Sequence, residues 1–169
     1  TGRLLPPALP ANRSESHAAR QPPCVYGTSV RFEDLTTRSQ VYRLRRAALT
    51  ALGRYPIEVD RIRLLYHGFN TTFRVDAADG RRFALRLNVN SRKTVANLHA
   101  EMAWLAALAL DTELPVPEPQ PTRDGALHTN VFMAGLGREL PVAMLSWLPG
   151  RDIEDPTVES MRALGRLTA

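Results

Sequence analysis

The chain has 169 residues, 44% hydrophobic and 23% charged, which suits one domain with material for a core and excludes a collagen, a disulfide-stapled mini-protein and a mostly disordered chain. Its net charge is +5, but residues 1–28 carry three arginines and one glutamate, a net +2, so only +3 remains for the rest, a thin charge that argues against a nucleic-acid surface. The longest apolar run, Met102 to Leu110, is about half of the roughly 20 residues a membrane crossing needs, and no membrane partner is expected.

Thr1 to about Thr28 holds five of the 13 prolines between small polar residues, and reads as a disordered or loosely draped tail. Behind Arg3 comes only Leu-Pro-Pro-Ala-Leu-Pro, which is no secretory signal, so the cytoplasm is the expected compartment. The opening without methionine is expected of a processed or partial product. The single cysteine, Cys24, has no partner for an intrachain disulfide and is given no role.

From Phe32 the pattern changes. Val41, Leu44, Ala48, Leu49 and Leu52 recur at helical spacing, Thr37 with Gln40 has the form of a capping box, and Gly53 ends the helix. After Pro56 the period becomes two: a strand begins at Val59, turns through His67-Gly68-Phe69-Asn70 and returns over Thr71 to Asp76. Ala78-Asp79-Gly80 then turns the chain into a third antiparallel strand, Arg82 to Asn88. A second helix is expected from Lys93 to Leu110, capped by Asn90 or Ser91, with Leu98, Met102, Leu105 and Leu108 on one face. Pro115, Pro117, Pro119 and Pro121 force an extended path, Asp124-Gly125 suggests another hairpin, and Pro141 to Trp147 reads as a strand buried on both faces. Asp155-Pro156 has the N-cap and first-turn form of a helix over Thr157 to Ala169.

Helix, three-stranded meander, helix and two further strands make an α+β domain with a five-stranded antiparallel sheet and one crossing helix. Phe83-Ala84-Leu85-Arg86 resembles the Val-Ala-Ile-Lys strand of kinases, with Arg86 in the place of the lysine. Arginine keeps a permanent charge and binds phosphate with two N–H groups, although its planar head changes the reach. Fifteen residues later Glu101 lies in an apolar stretch of the second helix, where a lone carboxylate is costly unless paired. An Arg86–Glu101 pair accounts for both; the plainer alternative is an exposed strand arginine and a solvated helix glutamate.

Gly68-Phe69-Asn70-Thr71-Thr72-Phe73-Arg74-Val75 resembles the nucleotide-positioning hairpin of the phosphotransferase family that includes aminoglycoside phosphotransferases, choline kinases and homoserine kinases. Ala143 to Gly150 resembles the same family's strand-to-linker segment, although a buried strand ending in a Pro-Gly turn has this composition too. The resemblance spans Tyr55 to Ala169 and implies a kinase-like small lobe that binds ATP with Mg²⁺ and passes the γ-phosphoryl group to a small-molecule hydroxyl. It implies cofactor-binding roles for Gly68, Asn70 and Thr71 in the loop, Ala84 under adenine and Arg86, oriented by Glu101, on the phosphates. The Ser146 carbonyl and Leu148 amide would hold the adenine edge, which leaves the identity of Trp147 free.

The family's His-Gly-Asp-x-His-x-x-Asn loop and later metal-binding Asp do not occur; His17, His67, His99 and His128 are isolated, and His67 reads as a turn histidine facing solvent. The expected division is therefore a tail over 1–28, a lobe with its preceding helix over 29–148, and over 149–169 a hinge exit with the start of a truncated large lobe. No catalytic residue or metal ligand is assigned, and the residues alone are expected to be inactive. Trp147, Leu148, Met161 and Leu164 would face the absent lobe and favour self-association. A non-catalytic nucleotide-binding or interaction module on the same scaffold is the alternative. A third is an RNA-binding domain with Phe73 and Phe83 on its open sheet face.

Overall fold

The computed structural model describes Gly2 and residues 30–90, 94–150 and 155–168; the expected tail, with Cys24, lies outside these apart from Gly2. Its helices are α1 (Thr37–Leu52), α2 (Val95–Asp111) and α3 (Val158–Thr168). The strands are β1 (Val59–His67), β2 (Thr71–Ala77), β3 (Arg82–Leu87), β4 (Thr129–Met133) and β5 (Arg138–Ser146). They form one antiparallel sheet in the order β1-β2-β3-β5-β4, so the α+β class and five-stranded sheet are as expected.

Strand alternation gives the sheet two unlike faces. Phe73 and Val75 of β2, Phe83, Leu85 and Leu87 of β3, Val131 and Met133 of β4 and Leu140, Val142 and Met144 of β5 point to one side. There they join Leu44, Ala47, Ala48, Ala51 and Leu52 of α1, with Phe32 and Tyr55, in one buried core. The other side carries a smaller cluster in which Leu98 and Met102 of α2 meet Ala143 and Leu145, with Ala84, Leu105 and Leu127 packed against it. Phe73 and Phe83 thus belong to the closed core, which removes the open aromatic face an RNA-binding reading requires.

Several boundaries differ from expectation. The N-cap of α1 is Thr36, which accepts from Ser39 N, rather than Thr37 with Gln40; of two adjacent threonines the earlier takes the cap, and Leu49 of this helix is exposed. The capping box of α2 is Thr94 with Asn97, one turn later than Asn90 or Ser91. Asp124-Gly125 makes a local turn closed by Thr122 and Ala126, but the hairpin that pairs strands lies between β4 and β5, through a 3₁₀ turn over Ala134–Leu136 and Gly137 in the left-handed region. The segment before that turn instead runs along β5, with Pro119 bridging Leu145. At α3 the hydroxyl of Thr157 receives Ser160 N, so the helix begins two residues after Pro156. The Asp79-Gly80 turn is as expected, with Gly80 at φ 84°, a conformation that favours glycine.

Candidate functional site

The second face is where charge collects. Register places Thr72 of β2, Arg86 of β3 and Ala143 of β5 in one row across the sheet, and Arg74, Ala84 and Leu145 in the next. Asp76 and Arg82 follow on β2 and β3. Because side chains alternate, each row presents its residues to the α2 side.

Arg86 Nη2 donates to Glu101 Oε1 at 2.9 Å, joining the C-terminal end of β3 to the second turn of α2, and each side chain retains less than a quarter of its exposure. In that half-dry setting the pair attracts more strongly than on an open surface. Arg86 Nε is buried with no hydrogen-bond partner, an unsatisfied donor of the kind an anionic oxygen takes up.

One row away is the loop between β1 and β2. Gly68 N donates to Asn70 O, and Asn90 pins the loop from below with its amide N–H on Phe69 O and its side chain on Gly68 O. Asn90, expected as a helix cap, is thus a loop anchor. A Cβ on Gly68 would lie 2.5 Å from the Tyr66 hydroxyl, so glycine lets that ring fold back over the loop. The Oδ1 of Asn70 is buried without a partner. Thr71 is fully buried, and strand parity puts its side chain with Phe73 on the α1 side; its hydroxyl meets His67 Nδ1 at 2.7 Å. Only the backbone of Thr71 remains available to a ligand on the charged face, where the adjacent Thr72 has its side chain. His67 does not face solvent: it is half-buried, with Nε2 2.9 Å from Gln40 Oε1 of α1.

At the opposite end of the rows Ser146 is held twice by the proline-rich segment, its N–H donating to Glu118 O and its Oγ accepting from Glu118 N. Leu148 follows as an exposed residue. Trp147 is not free of constraint: its half-buried ring lies 5.8 Å from the guanidinium carbon of Arg74, which is itself bound to Asp76 at 2.7 Å. Sequence reasoning missed this group. Arg74, Asp76 and Trp147 share the charged face by parity, but their meeting depends on the sheet order. Leu148, Met161 and Leu164 are exposed as expected, whereas Trp147 is not.

A phosphate-bearing ligand fits this donor set, through the spare Arg86 N–H and the anchored loop. A metal ion does not: among the described residues no group of three or more His, Cys, Asp or Glu side chains is placed to hold one. A groove of about 530 Å³ lies at the α1–β4 edge beside Arg43 and Arg46, away from the charged rows.

Residues 61–169 match the phosphotransferase enzyme family. The chain belongs to this family. Solved structures similar to it include two kinases. The microcompartment-associated aminopropanol kinase superposes with a TM-score of 0.60 and 26% identity over 75% of this chain. Amicoumacin kinase hAmiN, in complex with AMP-PNP, Ca²⁺ and Ami, does so with a TM-score of 0.54 and 18% identity over 70% of it. The chain spans 38% and 35% of their respective lengths, and no curated protein matches the sequence. This phosphotransferase family member therefore has a kinase-like fold, and among its described residues no helix is long and apolar enough to cross a membrane.

Proposed function

We propose that these residues are the ATP-binding lobe of a small-molecule kinase that passes the γ-phosphoryl group of ATP to a hydroxyl of an amino-alcohol acceptor of the aminoglycoside, choline or homoserine type. The observation that carries this reading is the Arg86–Glu101 pair, set between strand and helix in a member of the phosphotransferase family. Arg86 binds phosphate oxygens and Glu101 fixes its guanidinium. The loop from Gly68 through Asn70 covers the phosphates, Thr71 contributing its amide alone. Ala84 lies beneath the base, and the Ser146 carbonyl and Leu148 amide receive its edge. The neighbour named an aminopropanol kinase agrees with an amino-alcohol acceptor.

No His-Gly-Asp-x-His-x-x-Asn loop occurs in the 169 residues, so in this proposal a second lobe supplies the acceptor-activating residue and the Mg²⁺ ligands. Mg²⁺, when bound, neutralises charge on the phosphates. Residues 29–148 form the lobe, and 149–169 lead out of it, with α3 as the next lobe's first helix. Exposed apolar residues suit such a neighbour: Trp104 and Leu110 of α2, and Val158, Met161 and Leu164 of α3.

Titrating ATP into the purified chain, with and without Mg²⁺, tests the reading. A cleft with one wall should bind with a dissociation constant on the order of 0.1 mM, roughly 5 kcal/mol. Arg86→Ala should abolish this binding, and the chain alone should not turn over choline, homoserine or an aminoglycoside. Tight, Mg²⁺-dependent binding that ignores Arg86, or turnover abolished by changing one of the chain's own residues, would refute it.

A further inference from the structure

We propose that the groove between α1 and the free edge of β4 is a docking site for an extended acidic segment of another protein, which joins the sheet beside β4 with its carboxylates on Arg43 and Arg46. This does not depend on the ATP reading. β4 is the last strand in the order β1-β2-β3-β5-β4, so one of its sides has no neighbouring strand. Which backbone groups point that way follows from β5. Pro141 O accepts from Asn88 N on the β3 side, so Leu140 and Val142 turn their backbone groups the other way, toward Val131 and Thr129 of β4. The N–H and C=O of Asn130 and Phe132 therefore point outward, and no other described residue takes them up. An edge of this kind pairs readily with a further strand.

α1 runs beside this edge. Arg54, just after α1, donates to Thr129 Oγ1 at 2.7 Å, and at the other end of β4 the Arg43 guanidinium lies against Gly135, where a Cβ would be 2.9 Å from Nη1. Between these two contacts lies the groove of about 530 Å³, with Arg43, Arg46, Ala47 and Thr50 along one wall and β4 along the other. No acidic residue lines it, and among the described residues neither arginine has an ion pair. The two cations stand about one helical turn apart on long side chains, within reach of carboxylates on alternate residues of an extended chain, which are roughly 7 Å apart. The opposite face of such a chain meets different chemistry. Phe132 is exposed, and parity puts its ring on the side away from Val131 and Met133. The segment that fits thus alternates acidic with apolar residues: main-chain hydrogen bonds hold it, and the two sets of side chains select it. A second copy meeting this one through its own β4 would bring the same two cations together, and residues 1–28, with three arginines and one glutamate, carry the wrong charge.

Fluorescence anisotropy of a short labelled peptide of alternating glutamate and valine, titrated with the purified chain, tests this. Arg43→Ala and Arg46→Ala should each weaken binding about 2- to 5-fold, the range of one exposed ion pair, and Arg43→Glu combined with Arg46→Glu by about 10-fold or more. The double reversal should instead bind the corresponding lysine and valine peptide, which shows that it is folded and that the charges select the partner. N-methylation of the peptide backbone should abolish binding when placed on one of the two alternate sets of residues and spare it on the other, since only one set faces β4. Binding that tolerates N-methylation of either set overturns the inference, because no strand has been added. Displacement of the labelled peptide by tripolyphosphate or a single-stranded oligonucleotide as readily as by unlabelled peptide also overturns it, because the groove then reads charge alone. So does the absence of binding at about 1 mM peptide. A chain that self-associates and is dissociated by the peptide would make a second copy the occupant, and the inference fails there too.

Discussion

The two faces of the sheet are built from alternate residues of the same strands, yet they have opposite chemistry. On the α1 side Phe73, Val75, Phe83, Leu85 and Met144 are nearly or wholly buried in a continuous apolar core. On the α2 side the intervening residues are Thr72, Arg74, Asp76, Ala84 and Arg86, and only Leu98 and Met102 of the 17-residue α2 are buried. One face is finished by its own helix. The other combines small residues that leave room with charges that are paired but retain spare donors. The difference teaches that stability and ligand chemistry are divided by strand parity, so a one-residue step along β2 or β3 moves a substitution from one to the other.

The sharpest test of that division is Phe73→Ala, which empties a fully packed position on the α1 side. It should cost about 3–5 kcal/mol through lost burial and the cavity left behind. Thr72→Ala, one residue away on the other face, should cost well under 1 kcal/mol. Denaturant midpoints of the two variants check this, and similar losses would mean the faces are not energetically distinct.

Tyr55 probes the same core by pH. Burial pushes its phenol up to about 12 from an ordinary 10.0, a nearby Met144 backbone group offsetting this only in part, and its hydroxyl makes no well-formed hydrogen bond. Below pH 10 both folded and unfolded chains keep the proton, so the stability is fully present. As pH rises from 10 to about 12 the unfolded chain ionises first and stability is lost, by roughly 2–3 kcal/mol for two units of difference. Tyr55→Phe should remove this alkaline loss while changing stability at pH 7 by less than about 1 kcal/mol. Unfolding curves at pH 8 and 11 decide it.

On the charged face, Glu101→Gln leaves the Arg86 guanidinium half-buried without its counter-charge. It should destabilise the chain by about 1–3 kcal/mol. Glu101→Ala combined with Arg86→Met should recover part of that, because an apolar pair needs no compensation. Thermal or denaturant unfolding of Glu101→Ala, Arg86→Met and their double variant measures the coupling. An additive double variant would show that helix and strand are joined by packing rather than by charge.

These contrasts also explain what was legible in the sequence. Strand parity, the Asp79-Gly80 turn and the pairing of Arg86 with a glutamate in an apolar helix stretch are local patterns, and each has its counterpart in the fold. The side chain of Thr71 lies in the core because it follows the parity of β2, which the loop pattern does not carry. His67 was read as solvent-facing because its partner Gln40 lies 27 residues earlier, on α1. The Arg74–Trp147 contact joins residues brought together only by the β2-β3-β5 order. A one-dimensional pattern specifies which residues share a face, but not which of them meet across an intervening strand.

The smallest expected effect concerns the far edge of the α2 side. His128, just before β4, meets His99 of α2 edge-on at 5.9 Å, and its Nδ1 is buried without a partner. Burial, and then the neighbouring His99, hold its pKa below the ordinary 6.5. The unfolded chain therefore takes up a proton at higher pH than the folded one, so this packing contributes in full above about pH 6.5 and is lost as pH falls through the lowered value. His128→Phe keeps a ring against His99 and removes the titration. The wild type should lose more stability than His128→Phe between pH 7 and pH 5, and the two should converge above pH 7.5 in slope, though not in absolute value. Because the contact lies between α2 and the β4 approach, the loss should also show as faster amide exchange along α2 at pH 5 than the intrinsic pH dependence gives, with α1 unaffected. Equal acceleration in both helices would mean that acid loosens the whole sheet, and the two faces would not open independently.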